Sequence, residues 1–74
     1  MFVTVKSLTH NIDNNIHYIQ DAKEHHNCSE QEYNDYLIKM YSLLDRQLDK
    51  LKSISCNLNL ISRYEKKVKE IKND

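Results

Sequence analysis

Apolar residues recur along the chain at helical spacing. Leu8, Ile12, Ile16, Ile19 and Ala22 follow one another at intervals of four, four, three and three. Residues three and four apart share one face of a helix, so these five form a single stripe. Asn11, Asp13, Asn14, His17, Asp21 and Glu24 fall on the opposite face. The stripe predicts a first helix over residues 7–26, with Ser7 as N-cap and Thr4 as the alternative. Its Asn and His content gives it poor intrinsic propensity, so packing must hold it. Ahead of it, Phe2, Val3 and Val5 alternate around Thr4, which suits either a short edge strand or a lead-in over residues 1–6.

His25-His26-Asn27-Cys28-Ser29 is the turn candidate. Asn27 suits the left-handed conformation that Gly usually supplies. Ser29-Glu30-Gln31-Glu32 reads as a capping box, with Cys28 and Tyr33 at the two staple positions. Acids at 30, 32 and 35 suit the positive end of a helix dipole.

A heptad pattern follows. Leu37, Leu44, Leu51 and Leu58 are spaced by seven, and Tyr33, Met40, Gln47, Ile54, Ile61 and Val68 form the companion row. Tyr41 and Leu48 widen this coiled-coil-like seam, and Gln47 is its polar intruder. Tyr33 and Met40 are expected in the core. Ser53-Ile-Ser-Cys-Asn-Leu-Asn59 pulls the other way, because Ser and Asn compete for backbone bonds and weaken a helix interior. Two architectures follow. Either one long helix runs on from residue 30, or helix 2 spans 30–56 and a break near 56–59 starts a third helix to about residue 72. The third helix would turn Ile61, Tyr64, Val68 and Ile71 inward. The charged tail from Arg63 to Asp74 is expected to fray.

The fold class is therefore all-α: a helical hairpin with a long heptad-patterned second helix, or a small three-helix bundle. Residues 1–74 are read as one small helical domain. A long seam against a shorter partner helix leaves an apolar overhang, and a second copy in a two-fold dimer is its simplest cover.

Composition narrows the function. The 74 residues include no Gly, no Pro and no Trp. Phosphate-cradling loops and tight hairpin turns need Gly, so both are excluded. No apolar run approaches the ~18 residues of a membrane span. The start, Met1 to Lys6, lacks the basic end and apolar stretch of a signal peptide, so a cytoplasmic chain is expected. Cys28 and Cys56 are the two thiols, and both are read as reduced. Nine Lys to two Arg, with eight Asn, seven Ile and five Tyr, point to an AT-rich coding sequence, as in phages and mobile elements of low-GC hosts.

Candidate chemistry is sparse. Adjacent His25 and His26 diverge on a helix and no second Cys/His pair has finger spacing, so no metal is expected. Cys28 beside two histidines has the pieces of a thiol nucleophile, but so few helices enclose no sizeable pocket for a substrate. Asp45 and Asp49 lie at i,i+4 on exposed flanks of the Leu stripe. Desolvation is what makes paired carboxylates useful acids and bases, and these lack it.

Asp45-Arg-Gln-Leu-Asp49, in the middle of helix 2, resembles the Ser-Gln-x-Leu-Asp motif of the small sporulation-regulator aspartyl-phosphate phosphatases of Bacillus. Leu48 and Asp49 match; Asp45 and Arg46 stand at the Ser and Gln positions, and the Gly of that family's connecting loop is absent. The resemblance implies a phosphorelay regulator in which Asp49 faces the phospho-acceptor protein.

Net charge is zero, with eleven basic and eleven acidic residues. Residues 53–74 hold five basic and three acidic side chains, a balance of +2. Arg63, Lys66 and Lys69 in this tail are the nucleic-acid candidates, although duplex binders usually show a stronger basic footprint. Tyr33, Tyr36, Met40 and Tyr41 cluster in one segment, and Tyr and Met are favoured at interfaces. The reading is a small intracellular, non-catalytic protein without cofactor. It is expected to act on a protein partner as a regulator or inhibitor of the phage or mobile-element type. Tyr36, Tyr41, Arg46 and Leu48 are the expected contacts. A phosphatase-like regulator and a weak nucleic-acid-binding accessory protein are the alternatives.

Overall fold

A computed structural model describes residues 3–73. They form three helices: α1 (Val5–His25), α2 (Glu30–Ile54) and α3 (Leu58–Asn73). Of the two architectures the sequence allowed, the chain adopts the bundle and not the long helix.

α1 starts earlier than the Ser7 cap implies. Thr4 is the N-cap: its Oγ1 accepts from the Ser7 amide at 3.0 Å, and its own amide donates to Ser7 Oγ at 3.1 Å. Ser7 thus fills the reciprocal position of a capping box. Val5 is helical and packs on the core, so the strand option fails at Val5; Phe2 lies outside the described residues.

The turn needs no left-handed residue. Among the described residues none has positive φ, Asn27 included. α1 instead ends at an extended His26 (φ −82°, ψ 134°). The His26 ring stacks on Tyr33 at 3.9 Å between centroids, and its Nδ1 lies 3.1 Å from the Ala22 carbonyl oxygen. Cys28, the expected staple residue, is exposed; His26 makes the contact with Tyr33 instead. Tyr33 consequently sits half-buried at the end of the hairpin, not in the core. Ser29 caps α2, its Oγ accepting from the Glu32 amide at 3.2 Å; the reciprocal Glu32 bond of the expected capping box is not among the described hydrogen bonds.

The break falls at Ser55-Cys56-Asn57. Ser55 is extended (φ −121°, ψ 137°), and its Oγ accepts from the Asn57 amide. Asn57 Oδ1 then accepts from the Leu60 amide at 3.1 Å, which makes Asn57 the cap of α3. The polar side chains that weaken a continuous helix are the ones that stop α2 and start α3. Leu58, the fourth heptad Leu, opens α3 and is 76% exposed. The heptad register crosses the break only on paper, because the new helix resets the rotation.

The core is Leu8, Ile12 and Ile19 from α1, Leu44 and Leu51 from α2, and Ile61, Tyr64, Val68 and Ile71 from α3. Ile12, Ile19, Leu44 and Leu51 have no exposed surface. The four α3 residues are those expected of a third helix. They also keep the tail from fraying: α3 runs to Asn73, and Tyr41 and Lys23 both donate to the Ile71 carbonyl. The dimer expectation rested on an apolar overhang. α3 covers Leu44 and Leu51 within the chain, so that reason for a second copy is removed.

The radius of gyration is 13.1 Å, against about 11 Å for a compact domain of this length. The bundle is elongated because its helices differ in length. α2 spans about 37 Å and α3 about 24 Å at 1.5 Å per residue. No helix is long and apolar enough to cross a membrane among the described residues.

Candidate functional site

Polar contacts between side chains fix the helices side to side. Asn15 Nδ2 on α1 donates to Gln47 Oε1 on α2 at 2.9 Å, so the polar intruder of the seam has a partner. Tyr64 on α3 donates to Asp13 Oδ2 at 2.9 Å. Lys67 pairs with Asp13 Oδ1 at 3.2 Å and lies 4.7 Å over the Tyr64 ring. Asp13, read as polar surface from sequence, is therefore the α1–α3 clasp. Burial of the Tyr64 phenol raises its pKa above the ordinary 10.0, and the hydrogen bond and negative charge of Asp13 add to the rise; Lys67 opposes it.

The expected contact residues do not share one patch. Tyr36 is exposed on α2, on the side facing away from α3. Tyr41 lies about 140° around the helix from it, half-buried, with its hydroxyl 3.2 Å from the Ile71 carbonyl and its ring 5.8 Å from Lys23 Nζ. Leu48 follows Tyr41 by seven residues and lines the groove between α2 and α3. Arg46 is exposed on the outward side of α2. Asp49, the residue of the phosphatase resemblance, is exposed there too.

A different surface does come together. Tyr18 follows Asn15 by three residues, and Leu43 precedes Gln47 by four, so both lie on the side of the hairpin marked by the Asn15–Gln47 bond. Tyr36 and Met40 share that side of α2, at seven and three residues before Leu43. α3 packs on the other side, where it meets Asp13 of α1 and Tyr41, Asp45 and Lys52 of α2. The hairpin's open face thus carries Tyr18 at 56% and Tyr36 at 37% exposure, with Met40 and Leu43 half-buried between the helices. Periodicity along the chain does not single out Tyr18 or Leu43. Tyr18 lies beside the α1 stripe and Leu43 beside the heptad seam, so only the packing distinguishes them from core.

On α3, Lys67 and Lys72 are taken up by Asp13 and Asp45. Arg63, Lys66 and Lys69 have no acidic partner among the described residues. Cys28 and Cys56 are free and exposed; α2 holds them at opposite ends, about 37 Å apart, far beyond disulfide reach. His10, His17 and His25 are exposed, and no three His, Cys, Asp or Glu side chains converge among the described residues. Every buried side chain among the described residues is aliphatic apart from Tyr64, whose hydroxyl donates to Asp13.

The fold and its surface define a three-helix bundle whose available chemistry lies on helix faces. Comparison with protein-family models, with curated proteins and with solved structures finds no match.

Proposed function

We propose that this chain is an intracellular, non-catalytic helical protein that works by docking a helix face on another protein, as a regulator or inhibitor of the phage or mobile-element type. The observation behind this reading is the open face of the α1–α2 hairpin. The bundle buries a continuous apolar core of its own, yet leaves Tyr18 and Tyr36 projecting beside Met40 and Leu43. Tyr supplies large, rigid contact area with a polar tip, which suits a surface that alternates between wet and bound. The helix-in-groove mode of recognition uses such i, i+3, i+4 and i+7 anchors. A second copy is also a proposed occupant of this face, now that the Leu seam is covered within the chain.

The test is a double substitution, Tyr18→Ser with Tyr36→Ser. Both side chains are outside the core, so circular dichroism is expected to match the wild type. Tagged wild type, expressed in cells that carry the gene, is expected to retain a near-stoichiometric partner that the variant loses. Light scattering across a tenfold dilution decides whether that partner is a second copy. Equal recovery by both chains would move docking to another face, and a monomer without any stoichiometric partner would remove the reading.

A further inference from the structure

The cations of α3 are divided by the fold into two sets. Lys67 and Lys72 are neutralised by Asp13 and Asp45, and the α3 acid Glu65 is taken by Lys52 at 3.4 Å. Arg63, Lys66 and Lys69 remain, exposed and unpaired among the described residues; of the acids around Lys66 and Lys69, Asp13, Asp45 and Glu65 pair with other lysines and Glu70 is left over. At i, i+3 and i+6 they form a slanted ridge about 9 Å long. Lys39, Arg46 and Lys50 on the outward side of α2 are also unpaired, but they alternate with Asp35 and Asp49.

Two shallow grooves run beside the ridge. One lies between α3 and α1 and includes Ile16 and Ile71. The other lies between α3 and α2 and includes Leu48 and Val68. Lys66 and Lys69 border both. Each groove therefore sets one half-buried apolar side chain, Ile16 or Leu48, beside Lys66 and Lys69; of the acids in the linings, Asp13, Asp45 and Glu65 are already paired with Lys67, Lys72 and Lys52.

We infer that the Arg63–Lys66–Lys69 ridge of α3 and its grooves form a second docking surface, for an acidic amphipathic helix of a partner protein. The complementarity is twofold. Carboxylates at helical spacing meet the rim, and an apolar side chain between them meets half-buried Ile16 or half-buried Leu48. Nucleic acid fits less well. Three free cations release few counterions, and a phosphate backbone has no apolar side chain to set against Ile16 or Leu48. The surface lies away from the Tyr18–Tyr36 face and stands independently of it.

The probe is a labelled synthetic helix with Glu and Leu at amphipathic spacing, titrated with the full chain by fluorescence anisotropy. A scrambled peptide of the same composition and a short DNA duplex are the comparison arms. The Glu–Leu helix is expected to bind saturably, more tightly than either comparison, and to weaken as salt rises. Lys66→Glu with Lys69→Glu is expected to reduce affinity at least about tenfold, and Lys66→Gln with Lys69→Gln by a smaller factor. Tyr18→Ser with Tyr36→Ser is expected to bind as wild type does, which separates this surface from the other. Absence of saturable binding, equal binding of the scrambled peptide, tighter binding of the duplex, or undiminished binding by the folded charge-reversal variant would each overturn the inference.

Discussion

Tyr64 joins packing to electrostatics in one side chain. Its ring is buried in the core and its hydroxyl donates to Asp13. The phenol holds its proton more tightly in the folded chain than in the unfolded one, first through burial and then through Asp13. The stabilisation linked to this proton is complete below the unfolded pKa of 10.0 and is lost as pH rises through the higher folded value. Tyr64→Phe is thus expected to cost about 1 kcal/mol at neutral pH, where the hydrogen bond is lost. The gap should close as pH rises past the folded value, read by urea unfolding at a series of pH values; parallel curves would contradict the linkage. Asn15 and Gln47 make a second case. Asn15→Ala leaves a half-buried amide unpartnered and is expected to destabilise by about 1 kcal/mol, whereas Asn15→Leu with Gln47→Leu is expected to be near neutral or stabilising. Gln47 is legible from sequence as an intruder in the seam. Its partner is not, because the two residues are 32 positions apart and no local pattern links them.

At the scale of elements, the helix starts and stops are set by single polar side chains. Thr4, Ser29 and Asn57 each accept a backbone amide three residues on. Asn57→Ala is expected to lower stability by about 1 kcal/mol without raising helix content. Fusion of α2 and α3 would expose the buried face of α3, so the helix cannot simply extend. A gain in ellipticity with a concentration-dependent mass would show that the long helix lies close in energy. The stripe of α1, the Ser29 cap and the inner face of α3 were all readable, since each is carried by neighbours within two turns. The choice between one helix and two was not readable, because the heptad register continues through the break while the Ser and Asn residues argue against it.

For the whole molecule, the unequal helices matter most. Stability is expected near 4–11 kcal/mol, from about 0.05–0.15 kcal/mol per residue. Leu44 and Leu51 are fully buried where all three helices contribute to the core. Leu44→Ala is therefore expected to cost about 2–5 kcal/mol, a large share of that stability, read as a lowered midpoint in urea unfolding. Asp49→Ala, by contrast, changes an exposed side chain and is expected to leave the thermal transition within about 0.5 kcal/mol of wild type. That makes it a clean probe of the phosphatase-like alternative. Unchanged dephosphorylation of an aspartyl-phosphate receiver by the variant would remove that alternative.

The sequence by itself determined that the chain is helical, which residues form the inner stripe of α1, that Ser29 caps α2, and which residues of a third helix would face inward. Periodicity and capping act over three to seven residues, and the alphabet here, without Gly or Pro, leaves little else to read. The tertiary structure decided that Leu58 points outward, and that Tyr41 is committed to α3 while Tyr18 and Tyr36 stay open. It also decided which cations are spent within the fold and which remain. Those outcomes depend on contacts between residues 27 to 54 positions apart, and a side chain's partner at that range is set by how three helices pack, not by its neighbours along the chain.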